Sequence, residues 1–96
     1  MSIKYFLLKH RDEIIQISHQ YGANNIRIFG SVAKGQDGPD SDVDFLVDLE
    51  TGRSLLDLGG LSVKLQQFIG RKVDIVTEKG LHWYIKNRIL EESEKI

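Results

Sequence analysis

The residues best suited to chemistry lie between positions 30 and 44. Gly30 and Ser31 follow a short β-branched run, and Asp42 and Asp44 enclose Val43 at the start of a second apolar run. Because side chains alternate between the faces of a strand, the two aspartates should share one face, with Cα atoms about 6.6–6.8 Å apart. A glycine turn followed by paired carboxylates indicates metal-dependent chemistry on a nucleoside triphosphate.

A third carboxylate has the same relation to a strand. In the run from Lys72 to Val76, alternation sends Val73 and Ile75 to the core and Asp74 to the opposite face. If this strand lies beside the one that carries Asp44, three carboxylates converge. Such a cluster repels itself unless a cation sits within it, and oxygen ligands favour Mg²⁺ or Mn²⁺. Two ions about 3.5–4 Å apart could clamp a phosphoryl displacement.

Gly30 and Ser31 complement the carboxylates. A glycine lets the backbone approach a phosphate, and a short helix after it would aim amide N–H groups and the Ser31 hydroxyl at the same group. Ser31 could equally be a helix N-cap, since capping and phosphate binding use one geometry. Each aspartate alone is more often a solvated carboxylate, and the metal-site hypothesis depends on their combination.

The hydrophobic spacing predicts the order helix, strand, strand, helix, strand, helix. A capping box at Ser54 and Asp57 begins the second long helix, and Gly70 ends it. Gly59 and Gly60 inside this helix suggest a close contact with either the sheet or a partner. The fold class is therefore α/β (α+β), with a small mixed sheet and helices packed on one face. The predicted elements are Ile3–Tyr21, Ile26–Phe29, Val43–Leu49, Ser54–Gly70, Lys72–Val76 and Leu81–Glu92.

Length and composition limit the class of protein. The chain has 96 residues, one proline and 41% hydrophobic residues, which suits a single domain spanning residues 1–96. A net charge of −1 argues against a nucleic-acid groove, so no direct nucleic-acid partner is expected. The chain has no cysteine, and we find no apolar run of membrane-spanning length and no secretory signal. We therefore expect a cytoplasmic protein without a membrane partner.

The segment from Gly30 through Gly35 to Ser41–Val47 resembles the signature of the DNA polymerase β-like nucleotidyltransferase superfamily, and the chain length resembles its minimal nucleotidyltransferase (MNT) members. The similarity covers about Ile26 to Val76. The resemblance implies that Gly30 and Ser31 bind nucleotide phosphates and that Asp42 and Asp44 bind two Mg²⁺ ions. It implies that Asp74 binds one ion and helps to deprotonate the attacking hydroxyl.

Two features of the resemblance leave questions open. Lys34 stands where these proteins usually carry arginine, so a phosphate or partner contact there is in doubt. No residue identifies the base of the nucleotide, and ATP is implied by the family alone.

The resemblance also implies a partner. Small MNT proteins of this kind resemble the antitoxins of HEPN/MNT toxin–antitoxin pairs, which transfer AMP from ATP to a tyrosine of the HEPN ribonuclease. We therefore expect a type VII-like antitoxin in a hetero-oligomer with its toxin, because 96 residues leave little room for an acceptor domain. The alternatives are a catalytically silent binding antitoxin and a free-standing transferase on a small molecule or RNA end.

Several other residues are given the simplest interpretation. Asp48 shares the face of the aspartate pair and is expected to be solvated. Arg27 and Lys34 could merely balance nearby acid. Trp83 and Tyr84 are more often core residues than interface residues, although with Ile85 they could contribute to a partner surface.

Overall fold

The elements were assigned from a computed structural model that describes residues 2–96. The helices are α1 Ile3–Lys9, α2 Arg11–Gln20, α3 Gly30–Ala33, α4 Leu55–Ile69 and α5 Trp83–Glu92. The strands are β1 Ala23–Phe29, β2 Val43–Leu49, β3 Val73–Thr77 and β4 Glu94–Lys95. Within residues 2–96, none of the helices combines the length and apolar character needed to cross a bilayer.

The four strands form one mixed sheet in the order β3-β2-β1-β4. β1 pairs antiparallel with β2 and β4, whereas β2 and β3 are parallel and are joined through α4. β3 is therefore an edge strand beside β2, which meets the sequence-based condition for bringing their aspartates together. The predicted fold class is confirmed.

The register of β1 on β2 changes by one residue between Asn24 and Arg27. Asn25 at this bulge has φ +51°, a left-handed conformation that asparagine tolerates better than most residues. The extra residue changes the alternation, because Ala23 and Ile26 both face the core although three positions separate them. Arg27 and Phe29 consequently face the other side of the sheet.

The hydrophobic core lies between the sheet and the helices α1, α2 and α4. Burying a large apolar side chain of this kind contributes about 1.5–3 kcal/mol, so this layer supplies most of the folding free energy. Val43, Phe45 and Val47 of β2 are fully buried in this layer, and α5 contributes no residue to the cluster. The largest fully buried members are Leu7, Ile14, Ile28, Val32, Val43, Phe45, Val47, Leu61 and Leu65.

The second long helix begins and ends as predicted. The Ser54 side chain accepts from the Leu56 N–H, and the Asp57 carboxylate accepts from the Ser54 N–H at 2.9 Å. Gly70 closes the helix with φ +79°, which a residue with a Cβ adopts only with strain. These caps fix the length of the connection from β2 to β3.

The first helix is two helices rather than one. His10 leaves helical geometry at φ −104° and ψ 23°, and it serves as C-cap of α1 and N-cap of α2. Its Nδ1 lies 2.7 Å from Glu13 Oε2, and its ring lies 4.5 Å from the Phe6 ring and 5.8 Å from the Phe68 ring. This packing holds the break that apolar spacing alone did not indicate.

The C-terminal part differs most from the predictions. The last helix begins at Trp83 rather than Leu81 and has no fully buried residue. Trp83 and Tyr84 are 79% and 68% exposed, so the core interpretation of this pair was wrong. β4, which was not predicted, covers the second edge of the sheet by pairing with Arg27 and Ile28.

The two glycines within α4 have different surroundings. A Cβ built on Gly60 would lie 2.6 Å from Cε1 of Tyr21, whereas a Cβ on Gly59 would meet no heavy atom within 4 Å. The close contact therefore involves Gly60 and the ring of Tyr21, at the end of α2, rather than the sheet.

This contrast gives a matched pair of variants. We expect Gly59→Ala to stabilise the fold by about 1 kcal/mol through helix propensity, which raises Tm by about 4–8 °C in a chain of this size. Gly60→Ala should lack this gain or lower Tm, because its Cβ displaces the Tyr21 ring. Thermal unfolding followed by circular dichroism measures both, and an equal rise in the two variants would contradict the assignment of the contact.

Candidate active site

The sheet register brings two of the predicted aspartates together. Asp44 of β2 lies opposite Phe29 of β1 on one side and Asp74 of β3 on the other. Neighbouring strands stand about 4.8 Å apart, so both carboxylates project from adjacent positions on the face opposite the core. Asp42 lies just before β2, where the Val43 N–H donates to the Lys72 carbonyl at 2.9 Å and starts the β2–β3 ladder.

The charges of Asp42 and Asp74 act on Asp44. The pKa of Asp44 is raised above its ordinary value of 3.8, first by burial and then by the charges of Asp74 and Asp42. Burial raises the pKa because a charged carboxylate loses hydration, and the neighbouring charges act in the same direction. Asp44 is thus the electrostatic centre of the group.

The Asp42 carboxylate is paired with Lys72. Its Oδ2 lies 3.9 Å from Nζ of Lys72, a side chain that is 76% exposed. Across residues 2–96, no three carboxylate, imidazole or thiol groups surround a common point at metal-binding distance. In this arrangement Asp42, Asp44 and Asp74 do not form a closed set of three ligands.

Gly30 is required by its contact with Asp44. Its φ is +73°, and a Cβ at this position would lie 2.5 Å from Oδ2 of Asp44. Only glycine combines this backbone conformation with so close an approach to the carboxylate. The sequence had suggested that Gly30 makes room for a phosphate, and the structure shows that it also makes room for Asp44.

Ser31 stands in the first turn of α3, the short helix expected after the glycine. Phe29 is the N-cap and provides no side-chain acceptor for the first amides of the helix. At the other end, the Lys4 ammonium donates to the Ala33 carbonyl at 2.8 Å and pairs with Glu94 at 2.8 Å. α3 is therefore held at its C-terminal end, and its N-terminal end faces a cleft.

This cleft of about 420 Å³ separates the Gly30–Ser31 turn from α5. Its charged residues are connected: Lys34 Nζ lies 3.2 Å from Glu92 Oε1, and Arg88 Nε lies 3.5 Å from the same oxygen. The Lys34 hydrogen bond is the main reason that the pKa of Glu92 is lowered. The lining residues are Phe29, Gly30, Ser31, Lys34, Gln36, Ile85, Arg88, Ile89 and Glu92.

Sequence reasoning had not placed α5 at this cleft. Ile85, Arg88, Ile89 and Glu92 recur at helical intervals, which was the available signal. Nothing in that spacing indicated which surface the helix faces.

A second acidic pair on the same face is neutralised. Arg27 is 7% exposed, and its guanidinium lies 2.9 Å from Asp48 and 3.6 Å from Glu78. Asp48 is therefore an ion-pair partner rather than a simply solvated residue. Lys86 of α5 adds a contact of 3.9 Å to Glu78.

The contrast with Asp44 and Asp74 is informative, because no cationic side chain in residues 2–96 forms an ion pair with either of them. A buried arginine supports one acidic pair, while the other is left without protein cations. A larger cavity of about 670 Å³ lies at the Asp48 and Glu78 end of β2 and β3, and none of the predicted site residues lines it.

The glycine turn after β1 and the aspartates of β2 and β3 thus lie together on one mixed sheet, and comparison with known proteins identifies the family. A model of the nucleotidyltransferase domain matches residues 8–96. The chain belongs to this nucleotidyltransferase family, as the resemblance in the sequence implied.

Several relatives with assigned names are similar to this chain over most of its length. A Methanocaldococcus jannaschii protein named "Putative protein adenylyltransferase MJ0435" is 40% identical over 84% of this chain and 87% of its own length. "Protein adenylyltransferase MntA" of Thermococcus cleftensis is 36% identical over 94% of this chain and 88% of its own length. A solved "putative minimal nucleotidyltransferase" superposes with a TM-score of 0.89 at 38% identity, covering 100% of this chain and 97% of that one.

A more distant structure shares the fold. A toxin–antitoxin crystal structure with AMP-PNP superposes with a TM-score of 0.76 at 20% identity, covering 88% of this chain and 69% of that one.

The raised pKa of Asp44 predicts a pH-dependent stability. A carboxyl whose pKa is higher in the folded than in the unfolded protein destabilises the fold at neutral pH, and this effect vanishes below the unfolded pKa of 3.8. We expect Asp44→Asn to raise Tm at pH 7 without divalent cations, and the gain to shrink as the pH falls towards 3.8. Differential scanning calorimetry over this range measures it. Asp40→Asn, in the exposed turn, is the control, and equal curves for the two variants would contradict the electrostatic account.

Proposed function

We propose that this protein is an antitoxin that transfers AMP from ATP to a tyrosine of a HEPN ribonuclease toxin, with two Mg²⁺ ions, and thereby neutralises the toxin. The observation that carries the proposal is the pair Asp44 and Asp74, which lie adjacent on an open face without protein cations, with Asp44 packed against the turn at Gly30. Carboxylates that are held close together repel one another, and this repulsion favours the binding of a divalent cation between them.

Each residue has a role in this proposal. Gly30 and Ser31 would hold the β- and γ-phosphates, Asp42 and Asp44 would hold both ions, and Asp74 would hold one. When bound, the ions neutralise the phosphates and stabilise the entering and leaving oxygens. Asp74, exposed at the edge strand, helps to take the proton of the attacking hydroxyl. Mn²⁺ could replace Mg²⁺, since both prefer oxygen ligands.

The reaction is a single displacement at the α-phosphorus. The tyrosine oxygen forms a bond to this phosphorus, the bond to the bridging oxygen breaks, and pyrophosphate leaves with the electron pair. The tyrosine proton passes to the Asp74 carboxylate. The product is an AMP phosphodiester on the tyrosine, and no oxidation or reduction occurs.

Known proteins support the choice of acceptor and nucleotide. The relatives from Methanocaldococcus and Thermococcus carry the name of protein adenylyltransferases, which specifies both AMP and a protein acceptor for them. The structural neighbours that are toxin–antitoxin complexes, one of them with AMP-PNP, are the basis for proposing a toxin partner and ATP. The exposed Trp83 and Tyr84 on α5 are suited to a protein contact.

The first experiment is incubation of the purified chain with α-labelled ATP and Mg²⁺, with and without the toxin encoded beside its gene, followed by intact mass of both proteins. We expect a gain of AMP mass on the toxin alone. Tight complex formation without mass gain would favour a silent binding antitoxin. Label on RNA or a small acceptor instead would favour a free-standing transferase.

A matched pair of aspartates on one strand tests the site. Asp44→Asn should reduce AMP transfer at least about 100-fold, because a neutral amide is a poor ligand for a divalent cation and several kcal/mol of transition-state stabilisation are lost. Asp48 lies on the same strand face but pairs with Arg27, so the Asp48→Asn variant should retain AMP transfer. Initial rates by mass spectrometry at saturating ATP and Mg²⁺ measure both, and full activity of Asp44→Asn would end the two-ion account.

A further inference from the structure

The free edge of β3 has an incomplete set of hydrogen bonds. In a strand, the main-chain groups of successive residues point alternately to the two sides. The Lys72 carbonyl accepts from the Val43 N–H, so Lys72, Asp74 and Val76 face β2. The main-chain groups of Val73, Ile75 and Thr77 therefore point away from the sheet.

Only the first of these residues is satisfied at both groups. The Val73 N–H donates to Gln66 Oε1 at 3.1 Å, and its carbonyl accepts from Ser62 Oγ at 3.2 Å, both from α4. The Thr77 carbonyl accepts from the Gly80 N–H at 3.1 Å. Within residues 2–96, no group hydrogen-bonds to the outward N–H or carbonyl of Ile75 or to the N–H of Thr77.

The geometry of an in-line displacement also indicates the edge of β3. The Gly30–Ser31 turn follows β1, Asp44 lies on the middle strand, and Asp74 lies on β3. In an in-line displacement, the attacking and leaving oxygens occupy opposite sides of the phosphorus. If pyrophosphate is held at the β1 side, the acceptor hydroxyl must arrive from the β3 side, where the open edge is.

We propose that the polypeptide segment carrying the acceptor hydroxyl binds in extended form along the edge of β3, with its main chain hydrogen-bonded to the N–H and carbonyl of Ile75. This proposal rests on the proposed function and specifies how its protein substrate is held. Strand addition of this kind recognises the peptide main chain and leaves alternate side chains free for chemistry.

The register then selects the residue that reacts. The peptide residue paired with Ile75 directs its side chain towards the core face, as Ile75 does. Its neighbour lies opposite Asp74 on the open face, with Cβ atoms about 4.5–5.5 Å apart in an antiparallel pair. A tyrosine at this neighbouring position brings its hydroxyl to the acidic group, whereas a tyrosine one residue away points to the wrong face.

Charges at the two ends of β3 suggest the composition of the segment. Lys72 precedes the strand with a side chain that is 76% exposed, and the exposed Lys79 follows it. Lysines at an edge discourage pairing with an uncharged or basic strand. A segment with acidic residues on both sides of the tyrosine complements them.

A proline substitution tests the main-chain contact. Ile75→Pro removes the outward N–H without removing a β2–β3 hydrogen bond, and proline is tolerated at such edge positions. With the co-encoded toxin as acceptor, we expect AMP transfer to fall about tenfold or more, mainly through KM for the toxin. The loss should exceed that of Ile75→Val, which keeps the N–H. The affinity for ATP checks that the nucleotide site remains intact.

A matched control lies on the opposite edge of the sheet. Ile96 of the C-terminal segment donates its N–H to the Ile26 carbonyl, so the N–H of Lys95 points outward from β4. Lys95→Pro makes the same change there and should leave transfer to the toxin within about twofold of the unsubstituted chain. Equal losses in the two proline variants would indicate a general effect on the sheet and would overturn the proposal.

Amide exchange gives a readout that does not depend on a proline variant folding. In the Asp44→Asn chain bound to the toxin, the Ile75 and Thr77 amides should exchange at least about tenfold more slowly than in the free chain. Unchanged exchange of Ile75 in a stable complex would overturn strand addition. If the unsubstituted chain transfers no AMP to the toxin, the proposed function fails instead, and these two outcomes are distinct.

Discussion

Repulsion among carboxylates on a half-buried strand face is the constraint around which this sheet is organised. Asp44 occupies the middle strand, where burial and two acidic neighbours raise its pKa. A core of apolar residues on the other face fixes the strand and prevents the carboxylate from escaping into solvent by a change of register. The fold thus keeps a charge arrangement in which Asp44 is held close to two other acids.

The protein treats its two acidic pairs in opposite ways. Arg27 is buried against Asp48 and Glu78, and these ion pairs neutralise the acids at one end of the open face. The other end receives no such support. Next to Asp44 the chain has Gly30, whose missing side chain makes room for the carboxylate. The same face is therefore divided into a half that is held by ion pairs and a half whose acidic pair has no cationic partner among residues 2–96.

Much of this arrangement could be predicted from the sequence because it depends on local rules. Alternation placed Asp44 and Asp74 opposite the core, and a helical connection between two strands made them parallel neighbours. The ends of α4 followed from Ser54, Asp57 and Gly70. The parts that escaped prediction depend on long-range contacts: the break at His10 depends on Phe68, and the position of α5 depends on the cleft beside α3. β4 has two residues, too few for any pattern.

The bulge at Asn25 has a consequence for how such a sheet can change. Its extra residue shifts the register of β1 on β2 by one position. Phe29 then lies opposite Asp44, and Gly30 follows directly after it. Removing that residue would leave the distance from the bulge to the turn unchanged but would move Ala23 and the helix before it to the other parity of the strand. A length change in α2 or in the loop before β1 therefore affects residues on the N-terminal side of the bulge, while Phe29 keeps its register opposite Asp44. The bulge separates the part of β1 that leads to Gly30 from the helix before it, which makes this remote loop a natural boundary for grafting the site onto a different N-terminal helix.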